Sequence, residues 1–168
     1  MTTFDTFQRY ADRSEAPKNA FYSKMRAGIY NVCEETLRTG GLHIIALNPG
    51  VGKMQFTNAY LGAMIEDDPG ASALVVVEQI ATVQERFETL HKLIPGKVAC
   101  WTTKFKTVDR DKLYQHPIAC ITHAAFMTAD DRLDEMARYW KRGPRTLTVV
   151  DERLEAARTF CVSMRELG

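Results

Sequence analysis

The amino-acid sequence predicts an α/β domain, a three-layer parallel sheet with helices on both faces. Short, wholly apolar runs alternate along the chain with segments whose apolar residues recur at helical spacing. Pro, Gly and Asp-rich turn signals separate most of these segments. The apolar runs do not alternate with polar residues, as expected of strands buried on both faces of a parallel sheet rather than strands with one wet face. At 168 residues the chain suits one domain with a real core, which the boundaries place at residues 16–168 behind an N-terminal arm, 1–15.

Taken in order, Phe21, Met25, Ile29, Val32, Cys33 and Leu37 recur at helical spacing before Gly40-Gly41, which predicts a helix from Ala16 to Thr39. Leu42 to Leu47, with its Ile-Ile pair, reads as a buried strand running into Asn48-Pro49-Gly50-Val51-Gly52. From Lys53 the stripe Phe56, Tyr60 and Met64 predicts a helix that Asp67-Asp68-Pro69-Gly70 ends. Ala73 to Val77 is a second strand. Val83, Phe87, Leu90 and Ile94 mark a helix over Thr82 to Ile94, closed by Pro95-Gly96. Lys97 to Trp101 and Pro117 to Thr122 are the next two strands. Leu133, Met136, Ala137 and Trp140 predict one more helix, stopped by Gly143-Pro144, and Arg145 to Val150 gives a fifth strand ending on Asp151-Glu152.

A formal charge of +1 supplies no global attraction for nucleic acid, so any such contact would need a local basic strip. Cys33, Cys100, Cys120 and Cys161 are scattered without a CxxC pair, and read as reduced core thiols. With no signal-peptide pattern at the N-terminus and no run as long as the ~18 apolar residues of a membrane span, the expected location is cytoplasmic and no membrane partner is expected.

The run Leu47-Asn48-Pro49-Gly50-Val51-Gly52-Lys53-Met54 contains GxGK, the centre of the Walker A phosphate loop. Glycines there let backbone N–H groups turn inward on phosphate oxygens, and a helix opening at Lys53 adds its positive dipole end. Asn48, Pro49, Gly50, Val51, Gly52, Lys53 and Met54 are therefore the nucleotide-binding candidates, with Lys53 offering its charge to the β- and γ-phosphates. The full pattern departs at both ends. It asks for Gly where Leu47 stands and for Ser or Thr where Met54 stands, and a thioether cannot replace the hydroxyl that coordinates Mg²⁺.

Thr146 to Val150 followed by Asp151-Glu152 has the Walker B form, an apolar strand delivering carboxylates to the sheet's carboxyl edge, where ligands of such sheets sit. Asp151 would hold the Mg²⁺ shell and Glu152 would polarise the attacking water. The plainer alternative is that both acids open a final helix.

With these blocks assembled, the chain resembles the N-terminal RecA-like lobe of superfamily-two helicases, the DEAD-like group included. Asn48 to Lys53 match motif I, Leu74 to Leu90 the region of motif Ia, Ile121 to Phe126 a motif of the Ic type, and Val149 to Arg153 motif II. The resemblance implies ATP and Mg²⁺ at the loop and single-stranded nucleic acid across the upper edge. It makes Gln79, Thr102, Thr103, Lys104, Thr122 and His123 candidate contacts, their hydroxyls, amides and charge being suited to backbone phosphates, although caps and ordinary loop positions use the same residue types. Family members carry a second RecA-like lobe, whereas this sequence ends before any Ser-Ala-Thr coupling motif, so the expectation is an ATPase lobe weakly active alone and completed by a second lobe or partner protein. Two alternatives remain: a degenerate RecA-like binding module for protein or nucleic acid, and a small P-loop kinase whose lid arginine would come from Arg138, Arg142, Arg145 or Arg153.

Overall fold

The computed structural model describes residues 2–13, 19–41, 43–44, 52–128 and 136–151. Its elements, in chain order, are α1 (Phe4–Asp12), α2 (Ala20–Thr39), α3 (Lys53–Asp67), β1 (Ala73–Val77), α4 (Ile80–Leu93), β2 (Val98–Cys100), the 3-10 helix η1 (Arg110–Gln115), β3 (Ile118–Thr122), α5 (His123–Met127), β4 (Arg138–Tyr139), β5 (Gly143–Pro144) and β6 (Leu147–Val150). The sheet is parallel, with strand order β2-β3-β1-β6. β1 and β3 lie inside it and every residue of both is buried, which is why their sequences are apolar without alternation.

Alternate residues of these strands feed two cores. Ala73, Val75, Val77, Cys100 and Cys120 face one side and merge with α1, α2, α3 and α4 into one apolar cluster. Leu74, Val76, Ala99, Ala119 and Ile121 face the other, which is covered among the described residues by η1, α5 and Met136. The larger core is centred on α3, whose stretch from Asn58 to Ile65 is buried on every side, as for a helix enclosed by others rather than one with a wet face.

The segment taken from sequence as an N-terminal arm contains α1, which is built into that core. Thr3 caps it by accepting from the Thr6 amide, and Phe7, Tyr10 and Ala11 are buried against α3. Burial of Phe7 and Tyr10 stabilises by about 1.5–3 kcal/mol each. The tight approach depends on Gly62, because a Cβ there would lie 2.6 Å from Tyr10 Cδ1. Polar bonds reinforce the joint. Glu34 Oε1 accepts from the Thr2 amide at 3.0 Å and from the Tyr60 hydroxyl at 2.7 Å, and the Tyr30 hydroxyl donates to Thr2 O at 2.7 Å.

Two sequence expectations are corrected. The helix expected through Met136, Ala137 and Trp140 gives way to a small antiparallel hairpin, with Arg138 paired to Pro144 and Tyr139 to Gly143. The Trp140 amide donates to Tyr114 O and the Arg145 amide to Ala137 O, so long-range backbone bonds replace the local helical ones; Leu133 lies outside the described residues. The strand expected over Leu42 to Leu47 is not formed at its two described positions. His43 and Ile44 are both exposed, Ile44 by 81%, and His43 Nε2 turns back to Gly40 O at 3.1 Å; Leu42 and residues 45–47 lie outside the described set.

The amino edge of the sheet is held by one side chain. The buried Arg145 guanidinium donates to the carbonyls of Leu113, His116, Pro117, Met136 and Ala73 at 2.8–3.2 Å. Burial lowers its pKa to about 10, which leaves it cationic at neutral pH and solvated by peptide dipoles in place of water.

Candidate functional site

Because all four strands run the same way, the ends of β1, β3 and β6 bring Glu78, His123 and Asp151 to one edge. The Asp151 amide donates to Val76 O at 2.9 Å, continuing the ladder one step past β6. His123 opens α5, and its Nε2 lies 3.0 Å from Asp151 O. A carbonyl oxygen only accepts, so this contact requires the proton on Nε2. The link spans the end of β1, which lies between β3 and β6. Val77, Glu78, Gln79, Thr82 and Asp151 line a hollow at this edge.

The helix that follows the GxGK run starts here too. Gly52, at the N-cap of α3, has φ +81°, in the left-handed region, and a Cβ on it would lie 3.1 Å from Gln55 Oε1. The second glycine of the motif is thus set by backbone conformation. Lys53 and Met54 form the first turn of α3, half-buried. Asn48, Pro49, Gly50 and Val51, and Glu152 beyond the acid strand, lie outside the described residues.

Arg86 joins the two halves of the site. It projects from α4 and is only 1% exposed. Its Nη1 donates to Met54 O at 3.1 Å and to Asn58 Oδ1 at 2.6 Å, while Nη2 donates to Asp151 Oδ2 at 2.7 Å. One guanidinium therefore ties the first turn of α3 to the acid at the end of β6. Asn58 Nδ2 and Arg86 Nε, both buried, have no hydrogen-bond partner, a costly condition for buried polar groups.

Neither Arg86 nor Asn58 was among the sequence candidates, though a signal existed. Arg86 stands on the apolar stripe of α4 with Val83, Phe87 and Leu90, and a charge on an inward stripe calls for a buried partner. Asn58 stands one helical turn after Met54 and opens the stretch of α3 that is buried on every side.

The nucleic-acid candidates divide. Gln79 lines the same hollow as Asp151 and is exposed. Thr103 and Lys104 are exposed in the turn after β2, which stands at the opposite side of the sheet from β6. Thr102 is buried and shapes that turn, accepting from the Phe105 amide at 2.7 Å and donating to Phe105 O at 2.6 Å. Thr122 caps α5 by accepting from the Ala125 amide. His123 is 9% exposed and held on the Asp151 carbonyl.

Against known proteins, the chain matches no family model and no curated protein. What can be said of its chemistry rests on the geometry.

Mg²⁺, the cation that the helicase resemblance implies, meets a poor donor set here. Met54 presents a thioether at the hydroxyl position, and Asp151 Oδ2 is already engaged by a buried guanidinium. Among the described residues no group of three or more His, Cys, Asp or Glu is arranged to hold a metal ion. The described residues do not fit Mg²⁺ as a resident ion.

The three described cysteines are buried. Burial raises the Cys33 and Cys120 thiols to about 12, so neither is a nucleophile at neutral pH. No described helix is long and apolar enough to cross a membrane.

Proposed function

We propose that this chain is a nucleotide-binding lobe of the RecA-like P-loop class, similar to the first lobe of a superfamily-two helicase, which binds ATP and hydrolyses it weakly or not at all by itself. The observation that carries this reading is the Arg86 bridge. The helix after GxGK and the acid after Thr146 to Val150 are far apart in sequence, yet Met54 O and Asp151 Oδ2 share one guanidinium. Gly52 in a left-handed conformation at the head of a 15-residue helix, with Lys53 as that helix's first residue, supports phosphate as the ligand. Weak turnover follows from Met54 and from the engagement of Asp151, which together remove two of the groups that would organise a metal-assisted attack.

Single-stranded nucleic acid and a second RecA-like lobe belong to the same reading as partners. Gln79, Thr103 and Lys104 are the exposed residues on which nucleic-acid contact would rest. The degenerate-module alternative draws on the same two departures, Met54 and the paired Asp151. Two of the four lid candidates of the kinase alternative are engaged elsewhere. Arg145 is consumed at the amino edge, and Arg142 pairs with Asp68 at 2.6 Å where α3 ends and the chain turns toward β1, both away from the Asp151 edge.

Calorimetric titration with ATP tests the proposal. Wild type binds and Lys53→Ala binds at least about tenfold more weakly, a loss of about 1.4 kcal/mol. Indistinguishable titrations for the two proteins remove the nucleotide reading and leave the binding module.

A further inference from the structure

Resting on that nucleotide reading, we infer that the site takes its polyphosphate as the metal-free anion, because the Arg86 guanidinium already occupies Asp151, the carboxylate on which a divalent cation would sit. The geometry comes from three separate elements. Asp151, on the end of β6, is the carboxylate that would anchor a cation, and the ion pair at 2.7 Å neutralises it. Met54, in the first turn of α3, presents no hydroxyl oxygen to complete a coordination shell. Arg86, from α4, cannot swing aside cheaply, because its other nitrogen is held by Met54 O and Asn58 Oδ1 and its side chain is almost wholly out of water.

A cation entering at Asp151 Oδ2 would have to displace a guanidinium that has nowhere wet to go. An arginine left in the interior without its carboxylate is strongly unfavourable. Mg²⁺ in turn gives up its own waters reluctantly and demands near-octahedral oxygen ligands, which a thioether and a half-engaged carboxylate do not provide. A polyphosphate anion faces no such conflict. It approaches the positive end of α3 and the Lys53 charge beside an acid that is already paired. The remaining carboxylate of the hollow, Glu78, is exposed and keeps its hydration.

The whole chain is titrated calorimetrically with ATP in excess EDTA and again in excess Mg²⁺. Equal affinity within about threefold, or tighter binding in EDTA, is the expected result. Binding more than about threefold tighter in Mg²⁺ overturns the metal-free mode and leaves the nucleotide reading standing. Silence in both buffers removes the nucleotide reading and the inference with it. A parallel titration with inorganic triphosphate separates recognition of the phosphate chain from that of the nucleoside. Heat with triphosphate in EDTA supports the inferred ligand class, and its absence where ATP binds in EDTA overturns triphosphate as the recognised group.

Discussion

Arg86 Nη2 lies 2.7 Å from Asp151 Oδ2, and the two ends of this ion pair differ in their access to water: the Arg86 side chain is 1% exposed and that of Asp151 24%. The asymmetry decides how the pair responds to mutation. Removing one partner of a buried ion pair costs about 3–5 kcal/mol, chiefly because the other charge is stranded. Asp151→Asn strands a guanidinium with no route to solvent, so its cost belongs at the upper end of that range. Arg86→Met strands a carboxylate that keeps a quarter of its surface in water, and belongs at the lower end. Urea denaturation of the two variants and of the double mutant measures this. A double mutant more stable than Asp151→Asn is expected, and an Arg86→Met protein less stable than Asp151→Asn contradicts the account.

Tyr10 lies across Gly62, and α1 cannot come so close to a larger residue. Gly62→Ala gains up to about 1 kcal/mol of helix propensity but places a methyl 2.6 Å from the Tyr10 ring, an overpacking that costs about 1–3 kcal/mol. A net destabilisation of up to about 2 kcal/mol is expected from urea midpoints at unchanged slope. A stabilised variant would mean that α1 does not dock as described.

His116 sets a pH dependence. Burial, and then the nearby Arg145 charge, holds its pKa below the ordinary histidine value. A base whose folded pKa is depressed favours folding while it is neutral. Its contribution is therefore complete above the unfolded value of about 6.5 and is lost as pH falls from there through the folded value. Thermal melts of wild type between neutral and mildly acid pH should show the midpoint falling, and His116→Gln should flatten that fall. Identical slopes for the two proteins would place the acid sensitivity elsewhere.

Much of the architecture was legible locally. β1 was expected over Ala73 to Val77 and occupies those residues, and α3 was expected from Lys53 to the Asp67-Asp68 break and ends at Asp67. β1 is an unbroken apolar run, α3 carries the stripe Phe56, Tyr60 and Met64, and Asp67-Asp68-Pro69-Gly70 separates the two. Where the signal depended on partners, the reading failed. α1 lies in the segment read as an arm, where acids, bases and aromatics are mixed, and docking against Gly62 and Tyr60 gives its Phe7 and Tyr10 a core. Met136 and Trp140 are spaced as on a helix, but Trp140 is exposed and its neighbour Tyr139 is buried, in a hairpin tied by backbone bonds to Tyr114 of η1 and by the Arg145 amide.

The site divides the same way. By itself the sequence determined that a glycine-lysine turn precedes a long buried helix, that an acid ends an apolar strand, and that the hydroxyl of the phosphate motif is missing, since these are local matters of residue type and order. Tertiary structure alone decided that α4 threads a buried arginine between them. Which carboxylate a guanidinium meets is set by the packing of three elements distant in sequence, and no local preference encodes that distance.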